Sequence, residues 1–554
     1  MSVALLVPGI GVLLAEEQPP AGTTYYIHPD GNDENSGTGN TPESAWRSIA
    51  RANKAALKPG DRLLLAGGKT FSGNLVIAGP DKGSRDGKPP IVIGSFGDGR
   101  ATIQAGLGTA VLARDRAGVE VQDLVCKGGD KTKNEGCGIA FVNTLRNNVR
   151  LNHLRIRNVE ASGFGRKLEL PKSETGLNEG FQSAQGAGIF VGGIAADRGK
   201  SGFEDVEIAG CVCHGNAYYG ILITGFWDDH PARYANNHVH ISDCKVFENS
   251  GDPLYHENHS GNGILVEDCD GGLVERCMAY ENGALCNKAP GGPCGIWAAS
   301  SNNVTIQCCE SYNNRTGTAP DGDGFDLDGG STNCILQYNY SHDNDGAGYL
   351  VYTYAGAPHP DQGNIVRYNI SENDAVKGKA YGAIYVGNDG HGMSGVEIYN
   401  NTFIARKPVD AAVNIHGKNI AVAFRNNLIL SASNIPLVKI DEDNDKLVFQ
   451  GNLYWNDAAG FRISGKQTYA SLDAWRQAGK ELLKGKPLGL FADPKLDFSA
   501  KRGLFVLSSG SPAVDAGLDL KVNFGIEPGV RDFAGRKIQN GKGLFDLGAL
   551  GRSE

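Results

Sequence analysis

Methionine is almost absent from this 554-residue chain, at 3 residues, and long Leu-, Ala-, Glu- and Lys-rich stretches are scarce. That scarcity argues against a helical bundle or a doubly wound sheet. No block of Lys or Arg stands out, and the formal net charge is −9 with a pI near 5.8. No nucleic-acid partner is expected, because phosphate binding needs a basic footprint. The 12 Cys include no Cys-x-x-Cys pair, which disfavours a zinc site. Beyond the first residues no run approaches the ~20 apolar positions of a membrane span, so no membrane partner is expected.

What is present begins with an apolar stretch from Met1 to Ala15, followed by Glu16-Glu17-Gln18-Pro19-Pro20. This reads as a signal peptide over 1–15, so the mature protein is expected to be exported and soluble, and a monomer. Glycine is unusually abundant, at 78 residues, about double the average share of ~7%. Many short strands joined by tight turns would use glycine in this way.

The organising feature is a repeat. Five segments align: Cys211 to Asn216, Cys244 to Asn249, Cys277 to Asn282, Cys309 to Asn314, and Asn339 to Asn344. Their starts lie 33, 33, 32 and 30 residues apart, and Asn369, Asn401, Asn427 and Asn452 continue the series. Short β-branched strands precede most of them, among them Val206 to Ile208, Val239 to Ile241 and Val304 to Ile306. A fixed period with a strand, a turn and a recurring Asn predicts stacked β-coils. Stacked Asn side chains can bond along the ladder and satisfy turn backbone groups. Cys at the same place acts as a small buried hydrophobe, so these thiols are structural.

A second series places Gly before an alternating strand, at Gly188, Gly220, Gly263, Gly295, Gly324 and Gly348. It predicts a second parallel sheet of the same solenoid. The expected fold is all-β, a right-handed parallel β-helix with an N-terminal capping helix over Ala45 to Ala56 and a loop-rich C-terminal tail. The expected divisions are a cap with first coils over 24–110, the looped β-helix over 111–456, and a capping segment over 457–554. A short helix is expected near Leu472 to Ala478.

Several features together carry a resemblance: Tyr26-Ile-His-Pro-Asp-Gly-Asn, Pro59-Gly-Asp61, the Asn ladder, Gly510 to Gly517 and Arg531 to Gly535. The chain resembles exported bacterial right-handed β-helix proteins that include polysaccharide lyases and glycoside hydrolases. The resemblance spans nearly the whole chain and implies a polysaccharide or oligosaccharide substrate. It specifies the fold better than the reaction, because one solenoid hosts several chemistries.

By the period-two rule, the outward positions of the Gly-led strands are Leu265 and Glu267, Trp297 and Ala299, Asp326 and Asp328, then Leu350 and Tyr352. Coils stack ~4.8 Å apart. Glu267, Trp297, Asp326, Asp328 and Tyr352 should therefore form one patch on an exposed sheet. An aromatic face beside paired carboxylates suits a sugar ring and the acid–base chemistry of its bond. Asp321-Gly-Asp-Gly-Phe-Asp-Leu-Asp328 concentrates four carboxylates, which repel one another and raise a pKa or recruit a cation. The alternative for Asp321 and Asp323 is a plain Asx-type turn.

Two mechanisms follow. A hydrolase would use Asp326, Asp328, Glu267 or Asp323 as acid and as base or nucleophile, and needs no cofactor. A lyase would hold Ca²⁺ on Asp321, Asp323 and Asp326, with Lys377 or Lys379 as base. The stretch from Asp323 to Leu327 is similar to the DGFDL calcium motif of family 9 pectate lyases. It departs from that motif in having Gly322-Asp323 where the family has Asp-Asp. Loop residues Asp228, His230, His256, His259 and His359 are candidate substrate ligands, as are Trp297, Tyr352 and Lys377. The sequence Asp389-Gly-His-Gly392 is too common a pattern to assign. A non-catalytic glycan-binding solenoid is the rival from another class, and a uronate C5-epimerase a more distant one.

Overall fold

A computed structural model describes residues 22–79, 87–165, 186–193, 200–225, 233–378, 380–497, 505–538 and 545–551. The signal-peptide stretch, Asp228, His230 and Lys379 lie outside these residues.

Among the described residues, three parallel sheets of 15, 14 and 13 strands extend from Thr24 to Phe491 in stacked register. Each coil visits them in turn: Asn302–Gln307 lies in the first sheet, Glu310–Tyr312 in the second and Asp323–Asp328 in the third. This is a parallel β-helix, consistent with the right-handed form. Its interior is one continuous apolar column from Ile27 to Trp475, filled mainly by Ile, Val, Leu and Phe. Alternation explains this: Ile296, Ala298, Phe325 and Leu327 are fully buried inward positions of the third sheet.

The recurring polar residues form two ladders at two corners. Between the second and third sheets, each side-chain amide of Asn216, Asn249, Asn282 and Asn314 donates to the next Asn oxygen at 2.9 Å. Asn344 closes this ladder on Asp374 at 2.8 Å. Between the first and second sheets, Asn339, Asn369, Asn401 and Asn427 bond onward in the same way. That ladder ends on Glu481, which accepts from Asn452 at 2.8 Å. Cys211, Cys244, Cys277 and Cys309 occupy the earlier coils of the same corner. Their thiols point at backbone carbonyls, with Cys244 and Cys309 at 3.2 Å from Ser242 and Gln307. The cysteines are not paired in disulfides.

The residue before each ladder position is left-handed. Asp243, Arg276, Cys308, Tyr338 and Tyr368 have φ between 51° and 59° at the first corner. Such a corner costs an ordinary residue about 1–2 kcal/mol. The ladder bonds, worth about 1 kcal/mol each and satisfying the corner amides, offset it. The glycines of the second series have a different cause. A Cβ on Gly188 would lie 2.8 Å from the Cys213 Cβ, and one on Gly220 would lie 2.8 Å from that of Val246. The third sheet enters so close to the second that only glycine fits.

One expectation about the ends needs correction. The Ala45 to Ala56 helix is a single turn, α1 (Ile49–Ala52), capped by Ser48. Trp46 instead pairs as an extended bridge with Ile27, so the segment before Ser48 joins the first sheet. Beyond the turn, Asn53 accepts from Val76 N–H and donates to the Asn74 carbonyl, which fixes the chain out of helix. At the other end α2 (Leu472–Gln477) forms as expected, and its Trp475 packs on Phe449 and Tyr469. The tail then turns back along the flank, where Phe505, Leu507, Leu547 and Leu550 cover Ile370, Leu428 and Leu453. A short helix, α3 (Leu520–Phe524), lies in this returning segment. Among the described residues no helix is long and apolar enough to cross a membrane.

Candidate active site

The third sheet brings the expected patch together. One outward column reads Leu222, Leu265, Trp297, Asp326, Leu350, Tyr385 and Asn414 on successive strands. The next pairs Glu267 with Ala299 and Ala299 with Asp328. Tyr352, Gly387 and His416 continue it. Glu267 and Asp328 thus face each other across a single strand whose residue, Ala299, is small. Their Cα atoms stand roughly 9–10 Å apart by strand spacing.

The patch is not the open surface expected. Trp297 and Asp326 are only 4% and 2% exposed, while Glu267, Asp328 and Tyr352 are half-buried. The first column is covered: the ring of His259, a loop residue, stands edge-on to Trp297 at 5.1 Å between centroids, and Tyr219, at the start of an upstream strand, stands edge-on to His259. Upstream, Phe190, Tyr218, Tyr219, Leu222 and Leu265 close into an apolar cluster with Trp297 and Ala299.

Burial sets the electrostatics. Asp328 is pushed up to about 7, by desolvation first and then by the charges of Asp321 and Glu267, although its Oδ1 accepts from Gly329 N–H at 2.7 Å. Glu267 is raised by desolvation, but two features favour its charged form: Thr224 Oγ1 donates to Oε2 at 2.6 Å, and Lys200 lies nearby. Asp326 is held well above the carboxylate range by desolvation and by Asp328 and Asp323, so its surroundings favour the protonated form. Its Oδ1 and the Trp297 Nε1 are buried without a hydrogen-bond partner. Paired orphans of this kind on adjacent strands suit the hydroxyl groups of a ligand.

Asp321 and Asp323 have other work. Asp321 accepts from the Tyr381 hydroxyl and from Gly292 N–H. Asp323, fully buried, accepts from Ala347 N–H and lies 3.7 Å from Cys294 Sγ. Both tie neighbouring coils together, so the catalytic role expected for Asp323 is withdrawn. Asp323 and Asp326 both approach Cys294 Sγ, at 3.7 and 3.8 Å, while Asp321 is held by Tyr381 and Gly292. Among the described residues no three His, Cys, Asp or Glu side chains are grouped to hold a metal ion.

The remaining candidates divide. His259 is pushed down to about 4 by burial and hydrogen-bonds Asn262 through Nδ1 at 2.9 Å, so it is a neutral wall of the Trp297 pocket. His359 is half-buried beside Gly330, at the end of the Asp323–Asp328 strand. His256 is exposed and bonded to the Asn287 carbonyl, away from the carboxylates. Lys377 is exposed and donates to the carbonyls of Thr316 and Gly317. Three groups escaped the sequence reading. Lys200 forms a buried 2.8 Å ion pair with Asp268, directly after Glu267. The Tyr354 ring packs over Gly329, beside Asp328. Tyr385 lies two strands beyond Asp326 in the same column, where extending the alternation would have found it.

A parallel β-helix with a half-buried carboxylate pair on its third sheet is the class these observations define. No protein-family model matches this chain, and no curated protein matches it. Solved structures do, and they are β-helix carbohydrate-active enzymes. The GH136 lacto-N-biosidase from Eubacterium ramulus is 19% identical, with a TM-score of 0.51 over 80% of this chain and 68% of that one. Its selenomethionine derivative gives 18% and 0.51 over 78% and 67%. Pectate lyase Pel9A is 16% identical, with a TM-score of 0.38 over 96% of this chain and 97% of that one. At these identities the likeness is one of fold.

Proposed function

We propose that this chain is an exported glycoside hydrolase, and that Glu267 and Asp328 cleave the glycosidic bond. The observation that carries the reading is the pair itself: two half-buried carboxyl groups flank Ala299, with environments that separate their protonation. Asp328, near 7, delivers its proton to the leaving glycosidic oxygen. Glu267, favoured as carboxylate by Thr224 and Lys200, either takes a proton from the attacking water or attacks the anomeric carbon itself. Water is consumed, one C–O bond breaks and one forms. The unpartnered Asp326 Oδ1 and Trp297 Nε1–H hold sugar hydroxyls in place. A lacto-N-biosidase among the proteins sharing this fold supports the scaffold's fitness for such a reaction, though fold alone assigns none.

The test is a panel of neutral and uronic polysaccharides, each with and without EDTA. New reducing ends, no ultraviolet absorbance from an unsaturated sugar and no effect of EDTA are expected. Such absorbance, lost on adding EDTA, would contradict the hydrolase and favour a lyase. Tight binding without any product would favour a glycan-binding solenoid.

A further inference from the structure

Beyond the carboxylates, toward the C-terminal coils, the third sheet changes character. Upstream of Trp297 the outward columns are sealed by apolar side chains: Leu222 and Leu265 are each 2% exposed. Downstream, Tyr352, Tyr381, Tyr385 and His416 are all half-buried and form one connected group. Tyr385 is its centre, with ring centroids 6.3 Å from Tyr352, 5.3 Å from Tyr381 and 6.5 Å from His416. The tyrosine pairs are tilted by 50° and 53°, so these rings do not cover one another's faces, while His416 lies within 25° of parallel to Tyr385.

The polar tips are organised as well. Tyr352 donates its hydroxyl to Asp389, which also faces His416 Nε2 at 3.5 Å. Tyr381 donates to Asp321. Asn414, next to Tyr385 in register and 3% exposed, keeps a buried Oδ1 without a partner. Gly387 makes room for the group: a Cβ there would lie 2.6 Å from both Tyr352 Cδ2 and Tyr385 Cε1. Aromatic faces ringed by carboxylate, imidazole and amide groups match a pyranose ring, apolar on its faces and hydroxylated at its rim.

We infer that Tyr352, Tyr385 and His416, framed by Tyr381 and Asp389, form a subsite for a sugar ring of the same glycan chain, which leaves the carboxylates along the solenoid axis toward the C-terminal coils. The inference rests on the proposed hydrolase and names where its substrate extends. It predicts that affinity grows with chain length on this side.

The experiment uses the full-length protein and a size series, from two to six residues, of cello-, xylo-, manno- and galacto-oligosaccharides. Tyr385→Ala should raise KM about tenfold for the longer members of the series that is cleaved. It should leave kcat within twofold and the shortest cleaved member unchanged. Tyr385→Phe should restore the parent KM, and Gly387→Ala, which forces Tyr352 and Tyr385 apart, should behave like Tyr385→Ala. Titration of the same series into Asp328→Asn reads binding without turnover. Unchanged KM across chain lengths in Tyr385→Ala, or an equal loss on short and long substrates, would overturn the subsite. Absence of cleavage of every series by the parent protein would instead overturn the hydrolase reading.

Discussion

The second and third sheets share one coil period but use aromatic side chains in opposite ways. On the outer face of the second sheet, His214, Phe247, Tyr280, Tyr312 and His342 stack in one column. Their centroids are 4.8–5.0 Å apart and their planes within 8° of parallel. Each ring covers its neighbour's face, so this ladder stabilises coils and offers no stacking surface to a sugar. On the third sheet the outward residues differ from coil to coil, from Trp297 to Asp326, Leu350 and Tyr385, and the tyrosine rings beside Tyr385 are tilted. Repetition along a column marks the scaffold; a column that keeps register while changing residue marks the chemistry.

The strongest way to break this contrast is Glu267→Gln. It should lower the hydrolysis rate by about 10²–10⁴-fold at unchanged melting temperature, as loss of a positioned acid or base does. An equal loss on replacing a second-sheet ring would erase the distinction. Next in size is a ladder residue. Asn282→Ala leaves its neighbours' amides unsatisfied and should cost about 1–3 kcal/mol in chemical denaturation, with the rate per folded molecule retained.

The titration of Asp328 sharpens the comparison through pH. Its pKa is raised in the fold, so the proton is bound more tightly folded than unfolded. Stability from this group is complete below about 4 and is lost as pH rises through about 7. Asp328→Asn should therefore be more stable than the parent at pH 8, on the order of 2 kcal/mol, and no more stable at pH 4. The parent's rate should fall as pH rises through about 7, when the acid loses its proton. The smallest effect belongs to Tyr280→Ala, which removes one ring from the stack. It should cost about 1 kcal/mol or less beyond lost area and leave KM where it was.

Much of this was legible in the sequence because solenoid positions repeat. The Asn and Cys columns gave the period, the glycine series gave the third sheet, and simple alternation put Glu267, Trp297, Asp326 and Asp328 on one face. What was not legible lies off the repeat. Lys200 sits before a strand with no periodic equivalent, so nothing in the pattern pairs it with Asp268. The left-handed corners are carried by Asp243, Arg276, Cys308 and Tyr338, which share a backbone conformation and no side-chain chemistry. Burial of Trp297 and Asp326 depends on loops such as that of His259, whose placement no strand rule dictates. The expected helix from Ala45 failed for a related reason: Trp46 gained a sheet partner, Ile27, that its local pattern does not announce.

The most direct measurement is the initial rate of reducing-end release by Asp328→Asn on the glycan the parent cleaves best. A loss of at least about 10²-fold, in a protein that melts no lower than the parent at pH 8, is the predicted result. A rate within twofold of the parent would contradict the assignment of the third sheet's carboxylates as the chemical centre.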